Sequence, residues 1–385
     1  MPLRILVVTR NLPPLVGGME RLVWNMITAL SMDFHVHVVG PKGCLGLLPR
    51  GICGREIPAR PLSCFIAWAF FYSLAEALRH RPHVVLAGSG LTAPMAHLSA
   101  RISHARTCAY LHGLDIENRH PVYNLFWKPF IRRADQVIVN SRFTKALALR
   151  EGVMDAKLSI LPPGVSLPDI SDKKRIAQTF RDRYGLGQTP IMLFVGRITP
   201  RKGLTTFIER ILPHVLNIVP EARLLVIGDN ASEAVKKQVD EKARALGIVR
   251  RLGLEDRVLF LGKLDNPQLT AAYFASDVHV FPVQATPYDN EGFGMVALEA
   301  AAHGLPTVAF DAGGVSDAVM DGISGSLIPA GNFLEFEKAV VHFLLNRQDM
   351  AVRTACRQFA QDFEWSLFGR RLRELVHNTA GMETP

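Results

Sequence analysis

The sequence predicts an α/β chain built as two doubly wound, parallel-sheet domains. Three observations carry this. Short continuous apolar runs alternate with helix-length segments, several runs end in Gly, Asn or Asp, and the runs fall into two series separated by a Pro- and Gly-rich stretch. Continuous rather than alternating apolar strands mark sheets covered on both faces.

In chain order, the first series is RILVV (4–8), FHVHVVG (34–40), HVVLAG (83–88), TCAYLHG (107–113) and QVIVNS (136–141). The stretch LPPGVSLPDISDKK has the Pro, Gly and polar residues of a connection, so 1–168 is read as the first domain and 169–189 as a linker. The second domain, 190–360, holds PIMLFVGR (190–197), RLLVIGD (223–229), RVLFLGK (257–263), VHVFPV (278–283) and PTVAFD (306–311). Residues 361–385 include FEWSLFGRRLRELVHNTA, with Trp365, Leu367, Leu372 and Val376 near helical spacing, and are read as a terminal amphipathic helix.

Composition narrows the class. The 385 residues are 48% hydrophobic, enough for two cores and unlike a disordered chain. Five cysteines (44, 53, 64, 108, 356) without a CxxC pair argue against a disulfide framework or zinc ribbon and fit a reducing cytoplasm. MPLRILVVTR reads as a first strand rather than a signal peptide. The uncharged run PLSCFIAWAFFYSLA (61–75) ends at Glu76 and is read as a buried or interfacial helix, since a bilayer span needs roughly 20 residues. Charge is uneven: residues 1–166 hold 19 Lys and Arg against 9 Asp and Glu, and residues 191–385 hold 20 against 23. A basic first half suits an anionic membrane face, whereas nucleic acid is disfavoured because aromatics are not interleaved with the basic residues.

The polar and Gly-rich pieces fall at strand ends, where open parallel sheets bind ligands. In NEGFGMVALEAAAHGLPTVAF (290–310), Glu291 precedes a Gly-Phe-Gly turn and Glu299 rides the helix that follows. Glu291 is placed to accept from sugar hydroxyls, and Glu299 to grip a vicinal diol such as ribose. Gly292, Phe293 and Gly294 lead to a helix start whose Met295 and Val296 N–H groups suit a phosphate. An isolated pair of glutamates would more simply be exposed helix-end charges. However, FVGRITPRKG adds Arg197 and Lys202 on one strand-end loop, a fork and a point charge for a diphosphate.

The Gly17-Gly18 turn offers backbone N–H groups, and His112 in YLHGLD is placed to position a sugar hydroxyl; Asp115 is the weaker neighbour, more often a turn residue. The set describes a nucleoside-diphosphate sugar. No D-x-D occurs, so charge on a departing diphosphate is expected to fall to Arg197, Lys202 and the helix start, with no metal and no cofactor.

With these residues in hand the chain resembles the retaining glycosyltransferases of family 4. The resemblance runs through PLVGGME (14–20), His112-Gly113, ADQVIVNS (134–141), LPPGV (161–165), VGRITPRKG (195–203), LLVIGD (224–229), ASDVHVFP (275–282) and EGFGMVALEAAAHGLPTVAFDAGG (291–314). It implies the GT-B fold: two Rossmann-like domains facing across a cleft, the C-terminal helix crossing back to the first. It also implies His112, Glu291, Arg197 and Lys202 as catalytic candidates. Donor binding would fall to Gly17, Gly18, Arg197, Lys202, Lys263 near the base, Glu291 through Val296, and Glu299.

The long DNEGFG loop resembles members using GDP-mannose or a GDP-deoxyhexose, while Asp317 in GGVSD departs from the more usual Glu. The expected partners are a nucleotide-sugar donor and a lipid-linked or polysaccharide acceptor of bacterial lipopolysaccharide, O-antigen or exopolysaccharide assembly. The expected location is the cytoplasm, peripheral on the inner membrane face. The competing readings are a UDP-sugar transferase of the same family, a sugar-nucleotide epimerase on the same fold, and a non-catalytic nucleotide-sugar sensor. A nicotinamide dehydrogenase is disfavoured by the absence of GxGxxG at either first βα turn.

Overall fold

The computed structural model describes residues 3–230 and 240–381. The chain divides into two compact units, Met1–Gly164 with Trp365–Pro385, and Val165–Glu364.

The first unit carries β1 (Arg4–Val8), β2 (His35–Pro41), β3 (Cys53–Ile57), β4 (Val84–Ala87), β5 (Arg106–Leu111), β6 (Gln136–Val139) and β7 (Leu158–Ile160). All pairs are parallel, in the order β3-β2-β1-β4-β5-β6-β7. Alternate residues of β1 feed opposite cores: Leu6 and Val8 pack with Phe65, Ala69 and Ala77, whereas Ile5 and Val7 pack with Leu22, Met26 and Leu30. Burial on both faces is what the continuous apolar runs require. The terminal helix Trp365–Thr379 belongs to this unit, laying buried Phe368, Leu372 and Val376 into the core beside helix Gly18–Leu30. Each such side chain contributes about 1.5–3 kcal/mol.

The second unit carries β8 (Ile191–Val195), β9 (Arg223–Ile227), β10 (Val258–Gly262), β11 (Val278–Phe281), β12 (Thr307–Asp311) and β13 (Gly325–Pro329), ordered β10-β9-β8-β11-β12-β13 and again all parallel. In both sheets the strand order reverses beside the unit's first strand, between β1 and β4 and between β8 and β11. That reversal is the crevice position of a doubly wound sheet.

Three readings change. The stretch 169–189, expected as a linker, carries helix Lys173–Arg183 with buried Phe180, and Arg181 donates to Asp277 at 3.3 Å and to the Ala275 carbonyl at 2.6 Å. It is a folded part of the second unit, because an amphipathic helix hides inside its polar composition. The second unit also extends to Glu364, so residues 361–364 precede the terminal helix rather than belong to it. Finally, the apolar helix does not stop at Glu76: it runs Leu62–His80, with Glu76 turned inward and buried. By length and composition this helix is long and apolar enough to cross a membrane.

Candidate functional site

The loop leaving β8 and the loop leaving β11 flank the strand-order reversal of the second sheet. They are pressed together at Gly203, whose φ is 70°. A Cβ there would lie 1.9 Å from the Pro282 carbonyl oxygen, so only glycine lets the two loops meet. Upstream of Gly203, a 3-10 turn at Pro200–Lys202 directs both Arg201 and Lys202 inward, and each is only 8% exposed.

Their target is Glu291. Lys202 Nζ lies 2.8 Å from Glu291 Oε2, and Arg201 Nη1 donates to the same oxygen. Arg201 Nε also lies 3.1 Å from Asp289 Oδ1. The ammonium of Lys202 stands 4.7 Å from the centre of the Phe281 ring, an apolar floor that favours the cation through its π face. Burial alone would push the Glu291 pKa up, but Lys202 and Arg201 outweigh it and hold the carboxyl at about 2. Burial lowers the Lys202 pKa, with Glu291 pulling the other way and Arg201 adding to the fall. Arg197 is exposed on the same loop, and its charge acts on both Lys202 and Glu291.

After Glu291 the chain turns at Gly294 (φ 101°), where a Cβ would sit 2.9 Å from Phe281, and enters helix Met295–Ala302. The first-turn N–H groups of Met295 and Val296 have no acceptor within the helix by its geometry. Phe293 is buried in the core against Phe363, so this position offers the site its backbone only. The backbone of Glu291 is fixed from the loop after β12, where the Gly314 N–H donates to its carbonyl at 2.7 Å. Farther along the helix, Glu299 is 9% exposed and its Oε2 accepts from the Tyr273 hydroxyl at 3.1 Å. Lys263 is exposed at the end of β10 and acts electrostatically on Asp229.

Thus Lys202, Glu291, Gly294, Met295 and Val296 come together, with Arg197 at the rim, while Lys263 stands at the end of an edge strand. Arg201, Phe281 and Tyr273 were not foreseen. The only sequence signal for Arg201 is its place beside Lys202 in TPRKG.

Gly17, Gly18 and His112 belong to the first unit. Exposed Gly17 and Gly18 open helix Gly18–Leu30, with Glu20 held by the Asn11 amide at 3.0 Å. His112 Nε2 lies 2.8 Å from the Gly88 carbonyl. A carbonyl only accepts, so Nε2 carries a proton and donates. Asp115 Oδ2 accepts from the His112 N–H at 3.0 Å, the backbone role of a turn aspartate.

Sequence models of known families match both units. Residues 189–346 match "Glycosyl transferases group 1" and residues 16–168 match "Glycosyltransferase Family 4". The chain is 27% identical to the GDP-mannose-dependent alpha-(1-6)-phosphatidylinositol monomannoside mannosyltransferase of Mycolicibacterium smegmatis, over 97% of this chain and 98% of that one. It is 30% identical to the D-inositol 3-phosphate glycosyltransferase of Kribbella flavida, covering 83% of this chain and 76% of the relative. The solved structure of Anabaena HepE in complex with UDP superposes with a TM-score of 0.79 over 98% of this chain and 100% of that one, at 20% identity. The chain is therefore a glycosyltransferase of family 4, with the GT-B fold.

Proposed function

We propose that the enzyme transfers mannose from GDP-mannose, with retention of anomeric configuration, to a lipid-linked glycan of bacterial envelope assembly. The observation that carries this reading is the buried Lys202–Glu291–Arg201 cluster at the strand-order reversal, beside the start of helix Met295–Ala302. Cations and helix N–H groups suit a diphosphate, and carboxylates suit hydroxyl-bearing rings. The nearly full-length likeness to a GDP-mannose-dependent enzyme supports the choice of donor.

In this scheme the bond from the anomeric carbon to the diphosphate oxygen breaks as the acceptor oxygen attacks from the same face. The acceptor proton passes to the departing diphosphate. Lys202, Arg197 and the Met295 and Val296 amides take up the developing charge. Glu291 meets the donor sugar, and Glu299, oriented by Tyr273, meets the ribose. The carboxylates of Asp289 and Glu291 are already matched to Arg201 and Lys202, so we assign no catalytic metal to the site.

Incubating the enzyme and GDP-mannose with a lipid-linked acceptor extract is expected to release GDP and form mannosylated lipid, at a rate that added Mg2+ or Mn2+ does not change. Faster turnover of UDP-glucose would replace the donor assignment. Absence of product from either donor would remove the reading.

A lipid acceptor also gives the outer face of helix Leu62–His80 a role. Trp68, Phe70, Phe71 and Leu78 are exposed along it, and Arg60, Arg79 and Arg81 are exposed near its ends. Apolar side chains flanked by basic ones suit the interface of an anionic bilayer. Replacing Trp68 and Phe71 with serine is expected to weaken co-sedimentation with anionic vesicles by about tenfold or more, leaving GDP binding unchanged. Equal sedimentation of variant and parent would detach the helix from this role.

A further inference from the structure

On the opposite, inward face of that helix, three metal-ligating side chains of the first unit converge. His37 Nε2, from β2, lies 3.0 Å from Glu76 Oε2, and His80 Nε2, one helical turn beyond Glu76, lies 3.0 Å from the same oxygen. All three ligand atoms fall within 4.8 Å of one another. The two imidazole rings lie side by side with centroids 4.1 Å apart.

Both imidazole nitrogens are buried and close to the Glu76 carboxylate, and neither makes a well-aligned hydrogen bond. Both nitrogens thus converge on a single carboxylate oxygen. Arg55 Nη2, 3.4 Å from Glu76 Oε1, holds the other carboxylate oxygen and leaves Oε2 facing the imidazoles.

We propose that His37, Glu76 and His80 form a structural site for a zinc-class divalent ion that clamps the C-terminal end of helix Leu62–His80 to β2. Two imidazoles with one carboxylate select borderline transition ions over Mg2+ or Ca2+, which prefer oxygen ligands. Ligand atoms about 2.0–2.1 Å from a tetrahedral ion stand about 3.3 Å apart, so the two 3.0 Å separations open slightly and the two imidazole nitrogens, within 4.8 Å of each other, adjust to the same spacing as an ion enters. The fourth position is left to water. This site is independent of the donor reading and survives its failure.

The test uses the full chain, stripped with EDTA and returned to metal-free buffer. Zn2+ is expected to bind at one ion per chain, measured by elemental analysis after gel filtration, and to raise Tm; Mg2+ at the same concentration is expected to do neither. His37→Gln, Glu76→Gln and His80→Gln are each expected to weaken binding by about tenfold or more, since even an outer-shell partner is worth that much. A parent chain that retains no stoichiometric Zn2+ and whose Tm does not respond overturns the proposal without recourse to any variant. So does Zn2+ binding of equal strength in the parent and in all three folded variants, which would place the ion on other histidines.

Discussion

Lys202→Ala is expected to lower kcat/KM by about 100- to 1,000-fold while leaving the far-UV circular dichroism unchanged. The magnitude is that of removing one preorganised group from a site where charge develops in the transition state. Lys202 is preorganised in three ways: it sits at the end of a 3-10 turn, its ammonium is held 2.8 Å from Glu291, and Phe281 lies beneath it. Little reorganisation is left to occur when the diphosphate departs. Arg201 still pairs with Glu291 in the variant, so the carboxylate is not stranded and the fold is retained. Lys202→Arg is expected to restore little, because a planar fork does not replace a compact ammonium above a ring. Turnover within a few-fold of the parent would show that the diphosphate lies elsewhere.

Glu291→Gln is expected to act on activity and on acid stability together. The carboxyl is held at about 2, below its ordinary value of 4.5, by Lys202 and Arg201 against the opposing effect of burial. A depressed folded pKa adds stability that is fully present above the unfolded value and is lost as pH falls through the folded one. The parent should therefore lose about 3 kcal/mol between pH 4.5 and about 2. Urea unfolding across that window should show a steeper pH dependence in the parent than in Glu291→Gln.

The same substitution removes the charge that opposes the downward shift at Lys202. The alkaline limb of the rate profile should then move to lower pH, as Lys202 gives up its proton more easily. A profile that keeps its alkaline limb in place would separate Lys202 from the chemistry.

The central strands are legible in the sequence because burial on both faces demands continuous apolar runs. The three strands that the runs do not announce, β3, β7 and β13, lie at sheet edges. CGREI buries only Ile57, and LSI only Leu158; GSLIP leaves Pro329 exposed. These three, unlike the apolar edge strand β10, are recognised by the neighbour each pairs with, which a local reading does not contain.

The site divides along similar lines. Glu291, Lys202 and the helix start are visible as charge and glycine at strand ends. Arg201 is not, because two adjacent cations in TPRKG give no sign that a 3-10 turn buries both. Phe281 and Tyr273 read as core residues, which they also are; their second role depends on what approaches from the other loop. The His37–Glu76–His80 convergence is legible only in part. The four-residue spacing of Glu76 and His80 is local, but His37 joins them through the tertiary packing of helix against sheet.

The first unit is discontinuous, leaving at Gly164 and resuming at Trp365. On the ribosome, its N-terminal portion emerges long before the segment that completes it. Throughout synthesis of the intervening 200 residues, the surface of helix Gly18–Leu30 that later receives Phe368, Leu372 and Val376 stays uncovered. Arg373, whose Nε lies 2.7 Å from Asp33 Oδ2, likewise reaches its partner only after the second unit has been made. The second unit, contiguous in the chain, has all of its strands available before the segment that completes the first unit is made.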